Sequence, residues 1–174
     1  MKLRKQLIVW LFEMSQRVYT RYFKFNRPWG IGRKDLVRYP EESFGFALGS
    51  FLYSNGFDLI PKVERHDAYH VITGFTSRVQ DEIALQYLCF GNGKRSLYLF
   101  GVVIVGTLLL PEYIRYYLRA FRIGTKAHPF HSLPFQKLLH ISLNELRAIV
   151  FTSEIRHELE HFQARPDQLP IINT

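Results

Sequence analysis

Along almost the whole of this chain apolar residues recur at intervals of three and four, and no stretch alternates apolar with polar long enough to make a strand. A repeat of 3.6 buries one face of a helix and cannot bury one face of a sheet, so the expected fold class is all-α. Phe44 to Tyr53, with Phe46, Leu48, Phe51 and Leu52, runs into Asn55-Gly56, a stop signal because glycine accepts the left-handed conformation at a helix end. Arg65 to Thr73 ends in the same way at Gly74. Thr76 or Ser77 is the expected cap of a helix from Arg78 to about Phe90, with Gly91-Asn92-Gly93 beyond it. Two apolar helices flank Pro111, the second from Glu112 to about Arg122 with a stop near Gly124. Ser142-Leu-Asn-Glu145 has the form of a capping box opening a helix to about Phe151, and a last helix runs from Glu154 to about Gln163. No linker or repeat divides residues 1–174, a length suited to one core, so a single compact helical domain is expected.

Charge is placed unevenly. Residues 1–40 hold ten Lys or Arg against Glu13 and Asp35, which accounts for the whole net charge of +8 and leaves the remainder neutral. Leu3, Leu7, Ile8, Trp10, Leu11, Met14, Val18, Tyr22 and Phe25 interleave with those bases at near-helical spacing. This basic amphipathic leading segment suits an anionic membrane surface, or else packs on the body; nucleic acid is the weakest of its candidate partners. No convincing secretory signal opens the chain, whereas a basic, acid-poor start leaves an organelle transit peptide open. The longest uncharged run is the sixteen residues from Ser96 to Pro111, short of the roughly 20 that span a bilayer. It is expected to be a buried core helix, with a groove wall or an interfacial segment as the alternatives. Cys89 is the one cysteine, so no disulfide within the chain is available.

The chemistry concentrates in His66, Asp67, His70 and, after eleven residues, Glu82. Two histidines at i and i+4 share a helix face, where one divalent ion reaches both. The short turn from Gly74 to Ser77 lets the next helix return antiparallel and present Glu82 to the pair. Asp67 is either a fourth ligand or an acceptor that orients an imidazole. Three firm ligands leave coordination positions open, as in a catalytic rather than a closed structural site. A second pattern, His157-Glu158-Leu159-Glu160-His161, fits the zinc-protease helix H-E-x-x-H, but only thirteen residues follow it and a solvated charged helix is the simpler reading. His128 and His131 read as loop residues, and Cys89 as a small core residue.

Asn55-Gly-Phe-Asp-Leu-Ile-Pro-Lys, Arg65-His-Asp-Ala-Tyr-His-Val-Ile-Thr-Gly and Asp81-Glu-Ile-Ala-Leu-Gln-Tyr resemble the ubiquinone (coenzyme Q) biosynthesis family known as the fourth Coq protein, whose signature is H-D-x-x-H-x11-E. The resemblance runs from about Tyr39 to Phe151 and includes Arg-x-Gly-x-x-Ala at Arg122 to Ala127 and the helix start at Ser142 to Arg147. Tyr69 stands where the family often has Trp, and Phe135-Gln136 where a Trp-Glu pair is expected. The resemblance implies an all-helical fold with a metal site on a helix hairpin, held by His66, Asp67, His70 and Glu82, beside a hydrophobic channel for a polyprenyl chain. Zn is the first choice of ion, with Mn, Fe and Mg as alternatives.

It also implies oxidative decarboxylation at ring carbon 1 of a polyprenylated hydroxybenzoate, on a membrane and among other quinone-biosynthesis enzymes. The apolar segments Phe44 to Leu52 and Leu97 to Leu110 would wall the prenyl tail. Whether the chain itself catalyses that step as a metal-dependent lyase, or serves as a lipid-binding scaffold that organises other enzymes, is left open. So is self-association into a homodimer. The expected location is the cytoplasmic side of a bacterial membrane, or the mitochondrial inner membrane if the chain is eukaryotic.

Overall fold

The computed structural model describes residues 28–164, with backbone alone from 161, together with Leu3, Arg4, Gln6, Leu7 and Trp10. Most of the basic leading segment expected over 1–40 therefore lies outside the described residues. In chain order the helices are α1 (Arg33–Leu36), α2 (Phe44–Asn55), α3 (Glu64–Thr73), α4 (Val79–Gly91), α5 (Leu97–Leu109), α6 (Ile114–Lys126), α7 (Leu143–Val150) and α8 (Ser153–Ala164), with 3-10 turns at Pro111–Tyr113 and Phe135–Leu138. Among the described residues the sole β feature is an isolated bridge between Ser43 and Ser142. The all-α expectation holds.

The helix ends follow local rules with three corrections. Ser43 caps α2 by accepting from the Phe46 N–H at 3.1 Å, and Gly56 and Gly74 close α2 and α3 with φ of 69° and 75°. Neither Thr76 nor Ser77 is the residue before α4; Arg78 is, and it offers no side-chain cap. The Thr76 hydroxyl instead donates to Asp81, so the first turn of α4 is tied by its own carboxylate. Ser142 does precede α7 but caps nothing with its side chain, because the backbone there bridges to Ser43 and the Leu143 N–H bonds the Glu42 carbonyl at 2.9 Å. Gly124 does not stop a helix: α6 continues through it to Lys126.

What Gly124 does is set a crossing. A Cβ there would collide with the Leu88 carbonyl, and one at Gly91 would collide with the Phe121 carbonyl. α4 and α6 thus approach backbone to backbone, which only glycine permits. Asn92, 6% exposed, locks the next loop. Its Oδ1 accepts from the N–H groups of Phe130 and His131 at 2.8 and 3.2 Å, while its Nδ2 donates to the His128 carbonyl at 3.0 Å. Buried Phe44, Phe130, Phe135, Phe151 and Tyr117 fill the centre around these helices.

α5 departs from the buried core helix expected of its uncharged sequence. Leu99, Val102 and Gly106 face the core, with Gly106 close enough to Ile83 that a Cβ would fall 2.7 Å from it. Leu97, Ile104 and Leu108 are 75%, 58% and 74% exposed. The helix has a core on one side, and no described element covers the other. Arg4 donates to the Leu109 carbonyl at 3.3 Å and pairs with Glu112 at 3.1 Å, which places its exposed neighbour Leu3 at the same end. Among the described residues no single helix is long and apolar enough to cross a membrane; α5 and the Pro111–Lys126 segment after it pass together on composition, bent by 106°.

Candidate metal centre

α3 presents His66 and His70 one turn apart, and α4 brings Glu82 to both. Glu82 Oε2 lies 3.0 Å from His66 Nε2, and Oε1 lies 3.2 Å from His70 Nε2. The two Nε2 atoms are 3.2 Å apart. One donor atom from each residue falls within 4.8 Å of the others, a spacing that a divalent ion would fill. The pairing of His66, His70 and Glu82 expected from their spacing is therefore present in the fold.

Asp67 contributes no donor atom to that group of three. It acts on the site as a charge, one of the causes that raise the His70 pKa. The residue that orients His70 is one no sequence pattern marked: His70 Nδ1–H donates to the Phe75 carbonyl at 3.0 Å. That bond fixes the tautomer that leaves Nε2 with a free lone pair directed at Glu82 and His66. Phe51 stacks on the His70 ring at 5.3 Å and 16°, so the imidazole is held on both its edge and its face. A backbone carbonyl has no residue-type signature, and Phe51 looked like an ordinary core residue of α2.

Burial and charge pull these groups in opposite directions. Burial pushes the pKa of His66 down, and Glu82 offsets it only in part. Burial also acts to lower His70, but the Glu82 carboxylate, the Phe75 carbonyl and Asp67 outweigh it and the net shift is upward. For Glu82 burial acts to raise the pKa, yet the two imidazoles hold it well below the usual carboxylate range. The carboxylate is thus ionised at any physiological pH, as a metal ligand must be.

α4 is held at the register this needs by Asp81, which is 4% exposed and accepts from the Tyr116 hydroxyl of α6 at 2.7 Å and from Thr76. Tyr69, next to His70, is buried and donates to the His131 carbonyl at 2.9 Å; burial raises its pKa. Cys89 is buried with its thiol pushed up to about 11, which excludes a ready nucleophile. In the second motif Glu158 pairs with Arg119 at 3.0 Å, and the His161 side chain lies outside the described residues. His131 sits in the loop bound by Asn92.

Residues 61–154 match the family model for the coenzyme Q (ubiquinone) biosynthesis protein Coq4, more than half of the chain. This chain belongs to the Coq4 family. Among its relatives is the mitochondrial ubiquinone biosynthesis protein COQ4 of Clavispora lusitaniae, 36% identical over 89 residues; the protein of the same name from Meyerozyma guilliermondii is 33% identical over 89 residues. The match covers 48% of this chain and 28% of each of those proteins. The chain therefore spans well under half the length of the curated relatives it matches. A crystal structure from Nostoc punctiforme, of a protein provisionally assigned to ubiquinone biosynthesis, superimposes with a TM-score of 0.60 at 17% identity, over 86% of this chain and 82% of that one. That likeness speaks for the helical fold.

Proposed function

We propose that this chain is a metal-dependent, membrane-associated component of ubiquinone biosynthesis that acts on a polyprenylated hydroxybenzoate, replacing the carboxyl at ring carbon 1 by hydroxyl. Carbon dioxide leaves in that reaction, and the oxygen atom and two-electron oxidant come from outside the chain. The observation that carries the reading is the convergence of His66, His70 and Glu82 on one point, with the His70 tautomer preset by the Phe75 carbonyl.

The donor set fits a divalent ion. Two imidazoles and one carboxylate suit Zn first, and also Mn or Fe, and three protein ligands leave room for a further group. Such an ion supplies Lewis acidity toward a ligand carboxylate or phenolate oxygen. The chain's own part is to hold three donors in register through Asp81 and Phe75, to keep Glu82 ionised, and to surround the site with apolar side chains such as Phe51 that exclude water.

Membrane association is supported by α5. Its exposed stripe of Leu97, Phe100, Ile104 and Leu108 carries no charge, and the next helix, α6, exposes Arg115 and Arg122, while Arg119 pairs with Glu158 and Arg4 with Glu112. An uncharged apolar face followed in the chain by exposed arginines suits the boundary of an anionic bilayer. In a eukaryote the corresponding surface would be the mitochondrial inner membrane; in a bacterium, the cytoplasmic face of its membrane.

The experiment is metal analysis of the purified chain joined to mass spectrometry of quinone intermediates in cells that lack it. Stoichiometric zinc, and a ring-carboxylated prenyl precursor that accumulates and is cleared by the wild type but not by His70→Ala, are the expected results. Full rescue by His70→Ala would exclude metal-dependent chemistry. Restoration of the enzyme complex by that variant without turnover would favour the scaffold.

A further inference from the structure

A cavity of about 180 Å3 lies where residues 62–65, leading into α3, meet Trp29 and the turn at residues 134–137. Lys62, Arg65 and Lys137 line it, and Glu64 is the one acid in its walls, so its formal charge is positive by two. A single water needs only about 10–15 Å3 of such space, which leaves room for a phosphate-sized group with waters beside it.

Two hydrogen bonds tie the walls together. The Trp29 N–H donates to Glu64 Oε1 at 3.0 Å, and the Trp29 carbonyl accepts from Gln136 Nε2 at 2.8 Å. Glu64 is 4% exposed and engaged by that backbone, whereas among the described residues Arg65 and Lys137 pair with no carboxylate. Lys62 adds an independent mark. Its φ is 71°, and among the described residues it is the one side chain other than glycine held at positive φ. Glycine is the default in that conformation, so a lysine there stands against a conformational cost. A charge delivered to a cationic cavity gives the lysine a reason.

We propose that this cavity is a binding site for a phosphoryl group, a phosphomonoester or the end of a diphosphate, held by Lys62, Arg65 and Lys137. A phosphoryl dianion matches the two formal positive charges, where a carboxylate would leave one unanswered. Guanidinium and ammonium groups are also the usual partners of its oxygens. The group can belong to a small soluble molecule or to a lipid headgroup. None of His66, His70 and Glu82 lines the cavity, so the inference goes beyond the aromatic-acid reading and does not depend on it.

The test titrates the zinc-loaded full chain with inorganic phosphate, at an ionic strength held constant with chloride. A second arm compares vesicles of phosphatidic acid, a lipid phosphomonoester, with phosphatidylserine vesicles of equal surface charge. Saturable phosphate binding is expected, weakened about ten-fold by Lys62→Asn, a few-fold by Lys137→Gln and kept by Lys62→Arg. Asparagine tolerates the left-handed conformation and Lys137 is exposed, so both variants should fold and take up zinc as wild type does. A preference for phosphatidic acid that the same two substitutions remove assigns the group to a lipid; phosphate binding without that preference assigns it to a soluble molecule.

Binding or preference that survives both Lys62→Asn and Lys137→Gln lies elsewhere, the zinc included, and overturns the proposal. So does a wild type that responds to neither probe. Either result leaves the metal-dependent reading intact.

Discussion

His70 shows how one side chain is prepared for a ligand. Its Nδ1–H is committed to the Phe75 carbonyl, its ring lies on Phe51, and its Nε2 is left to the site. His70→Ala and Glu82→Gln are expected to lower zinc affinity by at least about 100-fold each in calorimetric titration, since each removes one of three donors. Asp67→Asn should cost much less, on the order of ten-fold or under, because Asp67 acts by charge. Acidity enters with opposite signs. Glu82 is depressed in the folded chain, so its contribution to the metal-free protein is full above its unfolded value of 4.5 and is lost as pH falls toward the folded one. His70 is raised, so its contribution is present below 6.5 and lost as pH rises through the folded value; His66, lowered by burial, works against it. Denaturant midpoints of the metal-free chain should therefore fall steeply below about pH 4.5. Zinc affinity should weaken as pH drops from 8 to 6, when the imidazoles take up protons the ion must displace.

At the scale of helices, the crossing of α4 over α6 is what holds Glu82 opposite the histidines. Gly91 and Gly124 let the two backbones meet, and the Tyr116 hydroxyl pins Asp81 beside Glu82. Gly124→Ala is expected to destabilise the protein by about 3 kcal/mol, since its Cβ must displace a carbonyl rather than a flexible side chain; thermal melts would read it. Asn92→Ala removes the partner of one buried and one half-buried N–H group and should cost a similar amount, about 2–4 kcal/mol by denaturant titration. The stops at Gly56 and Gly74 were legible in the sequence because a helix end with φ near 70° asks for glycine locally. Gly124 carries the same residue type for a reason 36 positions away at Leu88, which no local pattern contains. Ser142 is the converse case: a capping-box spelling whose hydroxyl caps nothing because its backbone is engaged by Ser43.

For the molecule as a whole, the surface to test is the exposed side of α5. Leu97→Ser with Leu108→Ser should leave the circular dichroism spectrum unchanged, since both residues are about three-quarters exposed. The same pair should reduce binding to phosphatidylserine vesicles about ten-fold or more in sedimentation assays. Undiminished vesicle binding would move the membrane contact elsewhere. The sequence by itself determined the helical class, most helix ends and the identity of the three convergent donors. Those follow from spacing along one helix and from the short turn after it, which are local and therefore written in residue order. Tertiary structure alone decided that the uncharged α5 keeps an exposed apolar face, that a backbone carbonyl orients His70, and that the Gln86 Oε1 is buried with no partner among the described residues. Each of these depends on which distant segment packs against a side chain, and a linear pattern does not hold that information.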